Sequence, residues 1–169
     1  MDNTPDTFTK GSHEGISLIH GESVKILILG SFPGTQSLMK NEYYGNERNQ
    51  FWQIIEILFH IDRHLPYEVR TFELARRGIA LWDVIHTCCR QGSADTRIRD
   101  PVFNDIAGFL KSFPSLHLVV LNGSTAGRYY HQLNIPEQVP RVILPSTSPA
   151  NARLTLNEKV RAWEIIRTH

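Results

Sequence analysis

Residues Val24 to Trp52 read VKILILGSFPGTQSLMKNEYYGNERNQFW. The run opens as a near-continuous apolar strand and breaks at a Gly/Ser/Pro turn. It then gathers aromatics, amides and one arginine ahead of a helical pattern. A strand without polar alternation is buried on both faces, as in parallel sheets covered by helices. In open α/β sheets, ligands bind just beyond the carboxyl ends of such strands. The segment after Leu29 stands where that rule puts a site, and it carries groups able to hold a planar ring.

Working outward, four strand-like runs, 24–31, 79–85, 116–122 and 141–145, alternate with helical patterns. Asn46 is expected to cap a helix whose apolar face is Phe51, Ile54, Ile55 and Leu58, a 3.6-residue period. A second helix over 67–77 ends at Gly78, the expected residue just past a helix. Asp100-Pro101 predicts the cap and first position of a third, with Phe103, Ile106, Leu110 and Phe113 on one face. NGSTAGRYYHQL starts a helix after the third strand. The last helix opens with the capping box Thr155-x-x-Glu158 and buries Leu156, Val160 and Trp163. Strands alternating with helices imply right-handed βαβ units. The expected fold is α/β, a three-layer α/β/α domain with a central four-stranded parallel sheet over 21–169, preceded by a loose polar tail over 1–20.

With 169 residues and 41% hydrophobic content, the chain suits a single domain with a sizeable core. A formal charge of +1 gives no global pull on nucleic acid, so DNA contact must come from a local patch. From Arg141 onward the cations Arg141, Arg153, Lys159, Arg161 and Arg167 face only Glu158 and Glu164. The two cysteines, Cys88 and Cys89, are adjacent, which fails the spacing of zinc and iron–sulfur sites and suits a reducing compartment. No apolar run approaches the ~20 residues that span a bilayer, and the N-terminus lacks the apolar segment of a signal peptide. The expectation is a soluble cytoplasmic protein, nucleoid-associated in a prokaryote, with no metal and no membrane partner.

The candidate chemistry lies in the loops after the strands. Gly30-Ser31-Phe32-Pro33-Gly34 is neither a Walker A loop nor GxGxxG, and its glycines allow close backbone approach to a ligand. Phe32 is a core plug or a stacking face. Asn49, expected in the first turn of the Asn46-capped helix, points its amide toward the first strand's end or serves as a second cap. Arg48 binds phosphate or is solvated, and Tyr43 and Tyr44 stack or pack. Asp83 interrupts the apolar LWDVI, as a structural carboxylate or one that reads a ligand. His86 is structural or a general acid or base. Asn122-Gly123-Ser124-Thr125 places polar groups at a helix start. The loop Leu144-Pro145-Ser146-Thr147-Ser148-Pro149-Ala150-Asn151 is rigid and donor-rich, able to clamp a phosphodiester. All follow strand carboxyl ends and so converge on one rim.

These residues resemble the uracil-DNA glycosylase superfamily, closest to its hypoxanthine-DNA (DNA-deoxyinosine) glycosylase branch. The resemblance runs from about Val24 to Trp163. GSFPGTQSL with YYGNERNQFW is similar to the branch's first motif and the segment after it. LWDVIHTCCRQGSADTRI is similar to its second-strand region, LNGSTA to its third-strand end, and LPSTSPANA to its second catalytic-loop motif. Relatives carry a catalytic Asp or Asn where Phe32 stands, and many have a histidine where Leu144 stands. In the resembling branch a downstream asparagine takes over, and Asn49 matches it.

The resemblance implies a monofunctional, monomeric enzyme that needs no cofactor. It flips a deaminated base out of DNA, hydrolyses the N-glycosidic bond and leaves an abasic site. Phe32 or Tyr44 would stack on the base. Asp83, or backbone groups of Gly30, Ser31 and Asn122, would read its edge. Arg48, Ser146, Thr147 and Ser148 would hold DNA, with Asn151 or Arg153 as wedge. Lys40 is the one lysine near these motifs in the sequence, which argues against Schiff-base lyase chemistry. Three alternatives stand beside this reading. One is uracil or mismatched thymine as the base, another a non-catalytic module binding nucleotides or damaged DNA. The third, a serine hydrolase built on Ser146 or Ser148, lacks the G-x-S-x-G elbow.

Overall fold

The computed structural model describes residues 11–169. Its centre is a four-stranded sheet built from β2 (Ile26–Gly30), β3 (Ile79–Asp83), β6 (Leu118–Asn122) and β7 (Arg141–Leu144), in the order β3-β2-β6-β7 with every pair parallel. Side chains alternate across a strand, and the ILIL run uses both faces. Ile26 and Ile28 join one apolar cluster with Phe51, Ile54, Ile55 and Trp163, whereas Leu27 and Leu29 join another with Ile106, Phe109, Ala126 and Tyr130. Helices α2 (Phe51–Phe59), α3 (Tyr67–Arg76) and α6 (Leu156–Trp163) cover the first face, and α4 (Ile106–Ser112) and α5 (Ser124–Gln132) the second. This is the expected three-layer α/β/α fold.

The departures have local causes. The second predicted strand ends at Asp83. After Val84 the chain enters β4 (Ile85–Cys89), the centre of a second, antiparallel sheet between β1 (Ser12–Glu14) and β5 (Arg99–Phe103). Asp100-Pro101 lies in β5 and starts no helix. Asp100 has φ +50°, and a proline is tolerated on an edge strand because it need not donate to a neighbour. The helix begins after Asp105, whose carboxylate accepts from the Gly108 N–H at 2.9 Å.

Asn46 does not cap α2 either. It accepts from the Arg48 N–H two residues on, the local turn that asparagine makes most readily, and α2 starts only at Phe51. A short helix, α1 (Thr35–Lys40), follows the GSFPG turn directly. Gly78, at φ +81°, closes α3 as expected, and the Thr155/Glu158 capping box is present in full. Part of the expected tail is folded. Ser12–Glu14 pairs with β4, Ile16 is buried and Ile19 bridges to Leu81. The remainder of that tail, 1–10, lies outside the described residues.

Candidate active site

Strand register assembles the rim. Gly30 pairs with Asp83, and Asn122 with Leu144, so the four strands end side by side. Gly30 is required here. A methyl group at that position would overlap Asp83 Oδ1 and sit 3.7 Å from the Tyr44 hydroxyl.

Asp83 is 5% exposed, and its Oδ2 has no hydrogen-bond partner. Burial first, then the charge of Asp95, pushes its pKa up to about 7, with Arg90 pulling the other way. The Tyr44 hydroxyl faces the same side of Gly30 and is also buried without a partner. Burial and Asp83 raise its pKa. Asn122 opposes that shift, although its Nδ2 donates to Thr147 Oγ1 and makes no hydrogen bond to the hydroxyl. The Tyr44 ring stacks on Phe51 at 4.0 Å between centroids, from a backbone at φ +57°. A bulky residue in that region costs about 1–3 kcal/mol, and such strain concentrates at functional sites. Two buried polar atoms, Asp83 Oδ2 and the hydroxyl of the strained Tyr44, thus stand without a hydrogen-bond partner at the end of the sheet, and such groups call for an explanation.

Asn49 lies two residues before α2, outside the helical first turn expected for it. Its Oδ1 accepts from the Phe51 N–H at 2.9 Å. With the acceptor fixed in this way, the Nδ2 donor is left without a partner among the described residues. Gln50 next to it donates its N–H to Thr147 O at 3.0 Å, which docks the Asn49 segment on the 145–151 loop. Asn122 fastens that loop to the sheet, donating from Nδ2 to Thr147 Oγ1 and accepting from the Thr147 N–H, both at 3.0 Å. Gly123, at φ +97°, lets the loop settle, since a methyl there would stand 2.9 Å from Ser146 Cβ.

Several expected roles therefore move. Asn122 and Thr147 hold each other, and Thr147 is 0% exposed, while one Nδ2 hydrogen of the half-buried Asn122 and its backbone groups stay outside that pair. Ser146 and Ser148 remain half-buried, each accepting a 3.2 Å bond from a backbone N–H two residues on. Asn151 donates to Ser146 O at 3.1 Å, which leaves the exposed Arg153 as the freer long side chain. Arg48 is exposed and makes no ion pair among the described residues. The Ser31 hydroxyl donates to the Asp95 carboxylate at 3.0 Å, and the Ser31 carbonyl accepts from the Ile85 N–H. His86 sits on the second sheet, 3.8 Å from the Glu14 carboxylate.

Phe32 is the core plug of its two sequence readings. It is 6% exposed, packed with Ile85, Cys88 and Ile98, and the Arg90 guanidinium lies 5.0 Å above its ring. Phe32→Leu should lower stability to urea by roughly 1–2 kcal/mol, the scale of a partial core truncation. Ligand binding lost with stability unchanged would restore the stacking role.

Sequence reasoning missed three groups. Arg90 is buried, donates from Nη2 to Pro33 O and leaves Nε and Nη1 without partners. Asp95 accepts from Ser31 below the first loop. Lys159, counted above among the C-terminal cations, is 2% exposed and donates to Gln50 Oε1 and Asn151 O, both at 2.8 Å. A lysine therefore does lie beside the motifs, brought there by folding. Of the other C-terminal cations, Arg141 pairs with Glu137 and Arg167 with Glu164. A cavity of about 800 Å³, lined among others by His20, Glu22, Tyr67 and Phe72, lies away from the rim. Among the described residues no group of three or more His, Cys, Asp or Glu could hold a metal ion, and no helix is long and apolar enough to cross a membrane.

Comparison with known proteins finds the same architecture and sequence pattern. The chain is 36% identical over 156 residues to a hypoxanthine DNA glycosylase of Methanosarcina acetivorans, covering 92% of this chain and 98% of that protein. It is 34% identical over 151 residues to a protein of the same name from Methanosarcina barkeri, covering 89% and 94%. A solution NMR structure of a Methanosarcina acetivorans protein named for uracil DNA glycosylase matches with a TM-score of 0.81 at 34% identity, over 93% of this chain and 98% of that one. The model of the uracil DNA glycosylase superfamily matches residues 19–167, and with the rim built on Gly30, Asp83, Asn122 and Leu144 this places the chain in that superfamily.

Proposed function

We propose that the protein is a monofunctional DNA glycosylase. It flips a deaminated base, hypoxanthine foremost, into the rim at Gly30 and hydrolyses its N-glycosidic bond. The carrying observation is that the Asp83 carboxyl and the Tyr44 hydroxyl both lie against Gly30, the former through Oδ1, and that Asp83 Oδ2 and the Tyr44 hydroxyl are buried without hydrogen-bond partners.

Deamination of adenine replaces a ring acceptor and an amino donor by an N–H donor and a carbonyl acceptor. Ionised Asp83 accepts from that N–H while the Tyr44 hydroxyl donates to the carbonyl. Adenine presents the opposite pattern, and an unpaired buried group is expensive. Uracil and xanthine share the N–H and carbonyl edge, so they are secondary substrates. One face of the half-buried Tyr44 ring is covered by Phe51, and the other supplies a stacking surface worth roughly 1–3 kcal/mol per base.

Bond cleavage develops positive charge on the sugar and negative charge on the departing purine. The free Asn49 Nδ2 donates to that purine, the preorganised stabilisation that dominates many active sites. Water attacks the sugar, and an abasic site is left. Arg48, Arg153 and the Ser146–Ser148 turn meet flanking phosphates. The protein acts as a monomer in the cytoplasm without a cofactor.

The test uses end-labelled duplexes holding one deoxyinosine, uracil, xanthine or deoxyadenosine, treated with alkali after incubation. Scission at deoxyinosine that depends on alkali is expected, with weaker scission at uracil and xanthine and none at deoxyadenosine. Folded protein that binds these duplexes but cuts none would favour the non-catalytic module, for which the phenylalanine at the usual acid position speaks. Scission without alkali would replace the monofunctional reading with a lyase.

A further inference from the structure

Lys159 is among the largest fully buried side chains of the domain. It stands one turn before Trp163 on α6, where an apolar residue would complete the buried stripe. An ammonium in that place is costly unless it is bonded, and no carboxylate lies within ion-pair distance among the described residues. Its two acceptors are neutral and belong to different loops, Gln50 Oε1 beside Asn49 and the Asn151 carbonyl at the end of the 145–151 loop. The Gln50 N–H adds a third link between the same loops through Thr147 O.

We propose that Lys159 is a positioning residue that clamps the Asn49–Gln50 segment to the Ser146–Asn151 loop and so fixes the direction in which Asn49 presents its amide to the base. This rests on the glycosylase reading of the rim. The clamp acts through Gln50, the residue that follows Asn49 and immediately precedes α2. A buried charge suits this task because its bonds are directional and charge-assisted. An apolar residue would fill the space but remove the bridge, leaving the Gln50 N–H bond to Thr147 O to tie the two loops.

The experiment compares Lys159→Met, which keeps the volume and removes the charge, with Gln50→Leu and the double variant. Two quantities are read, hydrogen exchange of the Gln50 amide and the single-turnover rate on deoxyinosine duplex beside the dissociation constant for that duplex. Lys159→Met should speed exchange of the Gln50 amide at least ~10-fold and slow turnover roughly 10-fold, with the dissociation constant changing less than about threefold. Gln50→Leu should slow turnover similarly, and the double variant should be no slower than either single one.

Unchanged exchange overturns the clamp. So does an unchanged single-turnover rate in an active background, rate losses that multiply in the double variant, or a loss confined to DNA affinity. If Lys159→Met fails to fold, Gln50→Leu decides alone, and turnover within twofold of the parent overturns the inference. An inactive parent protein overturns the glycosylase reading, while the exchange comparison still decides whether the clamp exists.

Discussion

Asn49→Asp is expected to keep the fold and to lower single-turnover excision of hypoxanthine by at least ~10², the scale for removing one preorganised donor. The Asn49 Oδ1 that accepts from the Phe51 N–H survives as a carboxylate oxygen, so the start of α2 stays capped. A negative charge near a helix N-terminus also suits the dipole. Only the Nδ2 donor is lost, and a negative charge replaces it next to a leaving purine that is itself gaining negative charge. Asn49→Ala should lose activity to a similar degree and also about 1 kcal/mol of stability, the cost of a missing cap. The pair of variants separates two roles for the same residue. If Asn49 worked by accepting a proton from water, the aspartate would be the better base, and Asn49→Asp would hold or exceed the parent rate. Single-turnover rates on deoxyinosine duplex, with urea unfolding of the same preparations, decide between them.

The central sheet was legible in the sequence because it is set by local chemistry. The ILILG run has no polar alternation, LVVLN repeats the pattern, and both are buried on two faces. Asp83 was legible for the opposite reason, as a carboxylate in an apolar strand that needs an explanation wherever it occurs. The second sheet was not legible, since Asp100-Pro101 is compatible both with a helix start and with an exposed edge strand. Nothing nearby distinguishes the two until β4 is present to pair with.

Asn46 misled in the same way, because the asparagine chemistry that caps a helix also closes a two-residue turn. Lys159 was the deepest omission. Next to Glu158 and two residues before Arg161, it reads as part of a solvated face, and its burial comes from the 145–151 loop and the α2 start, which are brought to it by tertiary folding. Phe32 had two readings from sequence, and the choice fell to the Ile85, Cys88 and Ile98 wall supplied by the unforeseen sheet.

Asp83→Asn should raise stability and lower activity together, and the pH at which stability is measured should control the gain. In the unfolded chain this carboxyl titrates near the usual ~3.9, whereas in the fold it is held at about 7. The fold thus disfavours the charged form. Below pH ~4 the group is neutral in both states and costs nothing on this account. As pH rises from there to 7 the unfolded chain ionises first and stability falls, and above 7 the whole penalty is in place. An amide of the same shape carries no such penalty. Urea unfolding should therefore show Asp83→Asn more stable by on the order of 4 kcal/mol at pH 8, with more than half of the gain gone by pH 5. Excision of hypoxanthine should fall roughly 10–10²-fold, the worth of a hydrogen bond to a charged partner. The parent's rate should climb through pH 7 as the carboxylate forms, and that limb should be absent from the variant. A purely structural carboxylate would give the reverse pattern, a less stable variant at pH 8 with its activity retained. Opposite signs in stability and activity are what a group held at a cost for the sake of a ligand produces, and Asp83 is buried at the end of its strand with Oδ2 unpartnered.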